Sequence, residues 1–212
     1  MRTEHLIEAL VQDAVRPQRS PAQRILAAML LGACIAGTLF AIVLGVRPDV
    51  SSAYETWRFV FKVALTLTCM TSAWWACLEL ARPEVRFEQI VGWIALTPAL
   101  LALAVLFELF TVPSVQWSAR TIGNYAGTCL LAIPLLSIAP LIALLIALRA
   151  GAPHSPASAG AVVGLLAGGL SAALYATHCP DDSPLFVAVW YTLAVSLVVL
   201  TGALAGRRVL RW

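Results

Sequence analysis

"AGAVVGLLAGGLSAALYATHCPDDSPLFVAVW", residues 159–190, decides the fold. Its first eighteen residues carry no charge, and neither do its last seven. Between them, residues 177–183 hold a histidine, a cysteine and two aspartates. At a rise of ~1.5 Å per residue, about twenty apolar residues in a helix cover the ~30 Å of a bilayer's hydrocarbon. The stretch therefore reads as membrane helix, tight polar loop, membrane helix.

The same alternation extends in both directions. The chain has 212 residues, of which 60% are hydrophobic and 12% charged, with a mean hydropathy of +0.86. A soluble domain carries about a quarter charged residues, so this one has half the usual share. Its charges collect in short segments between apolar runs, which predict spans at 24–46, 57–81, 87–110, 122–148, 157–176 and 184–206. Runs this long and unbroken do not fit the alternating strands of a barrel, so the fold expected is an all-α, polytopic bundle. Residues 1–21 form a separate N-terminal segment, and residues 22–212 the transmembrane domain. The first span is too long for a cleaved signal peptide, and a mixed-charge segment precedes it.

Basic residues set the orientation, because Lys and Arg are retained on the cytoplasmic side. With the N-terminus inside, ten lie in cytoplasmic segments: Arg2, Arg16, Arg19, Arg24, Arg82, Arg86, Arg149, Arg207, Arg208 and Arg211. The other side holds Arg47, Arg58 and Arg120, with Lys62 just inside the second span. Both termini are thus expected in the cytoplasm, and the loop at 177–183 outside.

Small residues recur every fourth position in span five, at Gly160, Gly164, Gly168, Ala172 and Ala176. Span one repeats the device with Ala33, Gly37, Ala41 and Gly45, and span six ends with Gly202 and Gly206. Such faces let helix backbones approach closely, and packing within the bundle is favoured over a dimer seam. Pro98, Pro134 and Pro140 are expected to kink spans three and four. The ionisable residues within the spans, Lys62, Glu79, Glu88 and Glu108, all lie toward helix ends. A transporter would place polar ligands at the midplane, which here is free of charge. Lys62 and Glu108 are expected to snorkel or to pair with each other.

Of five cysteines, Cys34, Cys69 and Cys77 read as packing residues. Cys129 lies seven residues past the predicted start of span four, ~10 Å along the helix and near the outer surface. That places it level with Cys179 in the outer loop. The pair could form a disulfide if the Cα atoms approach within ~7 Å, could be two unrelated thiols, or could bind a soft metal with His178 and an aspartate. No C-x-x-C or His-x-x-His spacing exists, and no resident metal or cofactor is expected. In "DDSP", Ser183 suits a helix N-cap and Pro184 a first helical position, with Asp181 and Asp182 near the positive end of span six.

Ahead of the membrane, "TEHLIEALVQDAVRP" places Leu6, Ile7, Leu10, Val11 and Ala14 on one helical arc and His5, Glu8, Gln12 and Asp13 on the other. Thr3 can cap this helix and Pro17 stops it. About thirteen residues are marginal as a helix in water, so the stripe needs a surface to cover it. Interfacial helices carry Lys and Arg on their polar face, and this face is acidic and neutral. A groove on a cytoplasmic partner fits better.

The N-terminal "HLIEALVQD…RP", six spans and "YATHCPDDSPLFVAVWY" resemble the NrsF-type membrane anti-sigma factors over essentially the whole chain. The loop "HCPDDSP" and the glycine-rich span before it carry most of the likeness. The resemblance implies a protein that holds an extracytoplasmic-function sigma factor at the bacterial inner membrane. A metal or redox stress acting on outward-facing cysteines would release it. It assigns Cys129 and Cys179 as the sensing pair and the N-terminal segment as the sigma-binding part. No nucleophile–base arrangement or phosphate loop points to an enzyme, and no direct nucleic-acid contact is expected. The rival reading is a small membrane thiol-redox or metal-handling protein, which lacks support from any vicinal cysteine pair.

Overall fold

Ser20 opens the first helix with a reciprocal cap. Its hydroxyl accepts the Gln23 N–H at 3.3 Å, and the Gln23 side chain accepts the Ser20 N–H at 3.1 Å. Pro21 occupies the first turn, where its missing N–H costs nothing. The computed structural model describes residues 20–80, 87–149 and 155–210. The amphipathic stretch with Leu6, Ile7, Leu10, Val11 and Ala14 lies outside the described residues.

Six helices are long and apolar enough to cross a membrane. They are α1 (Pro21–Val43), α2 (Trp57–Leu80), α3 (Phe87–Thr111), α4 (Ala126–Arg149), α5 (Pro156–Ala176) and α6 (Pro184–Val209). No strand occurs among the described residues. Five of the six predicted spans agree to within three residues at each end. The exception is α4, which starts at Ala126 rather than 122. Gly123, at a φ of 59°, ends a short helix at Trp117–Ile122 that lies ahead of the span.

α5 is the centre of the bundle. Buried residues make up 61% of its apolar window, against 11% for the peripheral α3. Its glycine face meets α6 as expected: a Cβ on Gly164 would stand 2.6 Å from the Val198 carbonyl oxygen, and one on Gly206 would meet the Gly160 Cα at 2.9 Å. Gly169, on another side, does the same for α2, with the Met70 backbone 3.0 Å away. The small residues thus serve packing within one chain.

Span one departs from expectation. Its buried face is Ile25, Gly32, Ala36 and Phe40, while Gly37 has nothing near it and Ala41 is exposed. Gly32 decides this, since a Cβ there would sit 2.5 Å from the Pro140 Cα of α4. Cys34 consequently points outward and is exposed, so it is no core residue. Cys77 is buried, whereas Cys69 is half-buried and lines a cavity of about 310 Å³ with Leu65, Pro98, Leu101 and Val195. The outward faces are apolar, with Ile42, Leu103 and Phe110 all largely exposed, as contact with lipid requires.

Two buried clusters fill the ends of the bundle. One joins Ile25, Cys77, Leu148, Ala159 and Leu210 at the end shared by the start of α1 and the end of α6. The other gathers Leu65, Cys129, Tyr175, Cys179, Phe186 and Tyr191 beneath the loop at 177–183. A π-helical turn at Val187–Tyr191 lies within this second cluster.

Candidate functional site

The loop between α5 and α6 is short, and its own residues give it little regular structure. Cys179 is held at its start by the end of α5, where its N–H donates to the Tyr175 carbonyl at 3.0 Å. Cys129 sits in the first turn of α4, donating to the Tyr125 carbonyl at 2.8 Å. The later start of α4 brings Cys129 closer to the helix end than the sequence suggested. Both cysteines are 0% exposed and belong to the same cluster. The topology therefore does bring this pair of thiols together, although in the interior rather than at the surface. Tyr175 and Tyr191 pack there with ring centroids 5.9 Å apart.

The aspartates act differently from expectation. Asp181 caps α4 rather than α6: its Oδ2 accepts the N–H groups of Asn124 and Tyr125 at 2.9 and 2.8 Å. Positive dipole and unpaired N–H groups at the start of α4 favour that carboxylate. Gly123 is needed for the approach, since a Cβ there would stand 2.7 Å from Asp181 Oδ2. Ser183 caps α6 as expected, accepting the Leu185 N–H at 3.3 Å, with Pro184 following.

Asp182 forms ion pairs instead. Its Oδ1 lies 2.5 Å from Lys62 Nζ, and its Oδ2 accepts from Arg47 Nη1 at 2.9 Å. Lys62 also donates to the Cys179 carbonyl oxygen at 2.6 Å. Lys62 is the chain's single lysine, and it is 0% exposed. The expected Lys62–Glu108 pair does not form. Glu108 is buried between two arginines, 3.0 Å from Arg58 Nε and 2.9 Å from Arg120 Nη1. Glu108 thus takes two arginines, and the loop's Asp182 takes the lysine.

Arg47 joins α1 to this loop. Its N–H donates to the Thr177 carbonyl at 3.1 Å, and its guanidinium also grips Asp49, whose carboxyl it holds down at about 2. The same hydrogen bond pushes the Arg47 guanidinium above its ordinary value, against the opposing effect of burial. His178 faces the same way, with Nδ1 3.0 Å from the Gly45 carbonyl oxygen. It is thereby turned toward α1. Among the described residues, no group of three His, Cys, Asp or Glu side chains comes together as a metal cage. Burial pushes the Cys179 thiol above its ordinary value of 9.0, while the Lys62 charge pulls the other way. A thiol raised in this way ionises less readily, and the thiolate is the nucleophile.

The sequence-based reading named Arg47 and Lys62 but gave neither a part in holding the loop. One signal was available: a lone lysine five residues into an apolar span needs a nearby anion, and the "DD" of the loop stands on the same side.

A family model described as "Negative regulator of sigma F" (NrsF) matches residues 10–212. The chain belongs to the NrsF family. It is similar to the "Anti-sigma-F factor NrsF" of Caulobacter vibrioides (strain NA1000 / CB15N), at 36% identity with both chains covered in full. It is also similar to the "Probable anti-sigma-F factor NrsF" of Azospira oryzae, at 33% identity and again over both full lengths. No solved structure matches the fold. As an NrsF-family protein it is an anti-sigma factor, a negative regulator with a sigma factor as its partner. The buried thiols and the ion-paired loop are features of an NrsF-family membrane bundle.

Proposed function

We propose that this protein holds an extracytoplasmic-function sigma factor at the bacterial inner membrane. Release follows when an oxidant or a soft metal ion acts on Cys129 and Cys179 from the periplasmic side. The observation that carries this reading is that Cys129 and Cys179 share one buried cluster at the loop end of the bundle. The other three cysteines are dispersed: Cys34 faces outward, Cys69 lines a cavity, and Cys77 belongs to the cluster at the opposite end. The excess of Arg at the other end supports cytoplasmic termini. The amphipathic stripe of Leu6, Ile7, Leu10, Val11 and Ala14 supplies the sigma-factor contact.

Two chemistries suit the pair. Oxidation joins the thiols in a disulfide, passing two electrons and two protons to the external oxidant. A soft cation instead displaces both thiol protons and binds the two sulfurs. Either change removes two buried S–H groups and places a new bond between α4 and the start of the loop.

The test combines genetics with direct reading of the thiols. Cys129→Ser, Cys179→Ser and the double variant should share one signalling defect that does not sum, as expected of a unit. Cys34→Ser, Cys69→Ser and Cys77→Ser should leave induction intact. Mass-tagging of free thiols in cells, before and after stress, should show Cys129 and Cys179 changing together. Induction with both thiols unchanged would place the sensor elsewhere.

A further inference from the structure

Two fully buried thiols can meet a reagent from outside only if the segment above them moves. That segment, residues 177–183, is tied down at several points, and the strongest ties converge on one cation. Lys62 Nζ meets Asp182 Oδ1 at 2.5 Å, the Cys179 carbonyl at 2.6 Å and the Asp181 carbonyl at 3.5 Å. Every oxygen it contacts belongs to this loop. The Phe59 ring lies beside it, with its centroid 5.6 Å from Nζ, and the Lys62 charge also acts on the thiols of Cys129 and Cys179. Arg47 adds a second tie through Asp182 Oδ2 and the Thr177 carbonyl.

We propose that Lys62, Asp182 and Arg47 form a latch that keeps the 177–183 segment closed over Cys129 and Cys179, so that opening of this latch governs access to Cys179. A buried ammonium with no partner is among the costliest arrangements in a protein, so Lys62 strongly favours the closed loop. Opening is all-or-none for the same reason, because partial withdrawal of Asp182 leaves both charges neither paired nor hydrated. Among the described residues Lys62 is the group that meets Asp182 Oδ1. Removing the lysine therefore strands a buried carboxylate oxygen, which is relieved when the loop swings into water. Lys62 also holds the backbone carbonyl of Cys179 itself, so a ligand that draws the thiol out of place pulls on the latch directly.

The consequence for signalling rests on the sensing role proposed above; the control of access does not. The test uses the full chain in lipid nanodiscs, with alkylation of Cys179 by N-ethylmaleimide followed by peptide mass spectrometry. Lys62→Met and Asp182→Asn should each accelerate alkylation at least tenfold, and the double variant should be no faster than the faster single one. Glu108→Gln, which breaks the separate network with Arg58 and Arg120, should leave the rate unchanged. Cys77, in the opposite cluster, reports on folding, since it should react only after denaturation. If Lys62→Met lets Cys77 react, Arg47→Gln provides the answer with both buried charges kept, at roughly threefold acceleration. Equal rates in the parent, Lys62→Met and Arg47→Gln chains overturn the latch. In cells, a sigma-dependent reporter should respond to lower doses of diamide or cadmium in Lys62→Met. Faster alkylation with a reporter indifferent to both Lys62→Met and Cys179→Ser would uphold the latch and remove the sensing role.

Discussion

Gly160 and Gly202 meet backbone to backbone where α5 crosses α6, so that a Cβ on either would collide with the carbonyl oxygen of the other. Gly206 extends this seam toward Pro156, and Gly164 toward Val198. Without a hydrophobic driving force between helices in lipid, such close approach supplies much of the attraction that holds a bundle together. The seam also fixes the angle at which α5 and α6 diverge, and thus where their connecting loop can sit.

Gly160→Leu should accordingly destabilise the protein by about 1–3 kcal/mol or more, the range for forcing extra carbons into a packed core. Backbone atoms, not flexible side-chain ends, are in the way. Gly37→Ala in α1 should be neutral or stabilising by up to ~1 kcal/mol, since the helix gains propensity and nothing stands near that position. Thermal unfolding in detergent, followed by helical circular dichroism, separates the two. Equal losses at both sites would show that the α5–α6 seam is looser than the backbone contacts imply.

Glu108 allows a prediction about buried charge. Its carboxylate is 0% exposed, while the side chains of Arg58 and Arg120 are each 31% exposed. Removing one partner of a fully buried pair costs ~3–5 kcal/mol, and partial exposure of the arginines lowers that here. Glu108→Gln should cost roughly 1–3 kcal/mol on that reasoning. Arg58→Gln or Arg120→Gln alone should cost less than half as much, because the other arginine stays in place. If either single arginine variant matches Glu108→Gln in unfolding temperature, the carboxylate depends on one partner, not two.

The spans were legible in the sequence because their signal is summed over twenty or more residues, and no local accident removes it. The glycine face of α5 was legible too, since small residues at every fourth position have few other uses in lipid. Its counterpart in α1 was misread. Ala33, Gly37 and Ala41 show the same spacing as Gly32, Ala36 and Phe40, and the choice between them depends on Pro140 of α4, more than a hundred residues away. The site followed the same division. Cys129 and Cys179 could be singled out by topology alone, but their burial could not, because it depends on the cluster they form with residues from other helices, Phe186 and Tyr191 among them. Partner choice for Lys62 was also hidden: Asp182 and Glu108 both lie on its side of the bundle, and geometry alone decides between them.

Orientation gives a sharp test of the proposed compartment. Ten of the fourteen basic residues fall in segments assigned to the cytoplasm. Reporter fusions at Arg149, at the end of α4, and at Asp182, in the loop, should report opposite compartments, with Asp182 outside. A cytoplasmic signal at Asp182 would put both thiols out of reach of a periplasmic stress and end the sensing argument.

The last prediction concerns the N-terminal segment and its partner. If Leu6, Ile7, Leu10, Val11 and Ala14 lie in a groove on the sigma factor, a charge placed among them must be buried without a counter-ion. An anchor residue in such a contact is worth ~2 kcal/mol or more, which corresponds to well over tenfold in affinity. Leu6→Glu and Leu10→Glu should therefore release the sigma factor and switch on its target genes without any stress. Glu8→Ala, off the apolar stripe that the sequence predicts, should change little. Co-purification of the sigma factor from detergent extract, with residues 1–20 present or removed, measures binding apart from signalling. The latch offers an independent check, because Leu6 is no part of it and Leu6→Glu should leave the alkylation rate of Cys179 at the parent value. Similar losses for Leu6→Glu, Leu10→Glu and Glu8→Ala would mean that the segment does not bind through one apolar face.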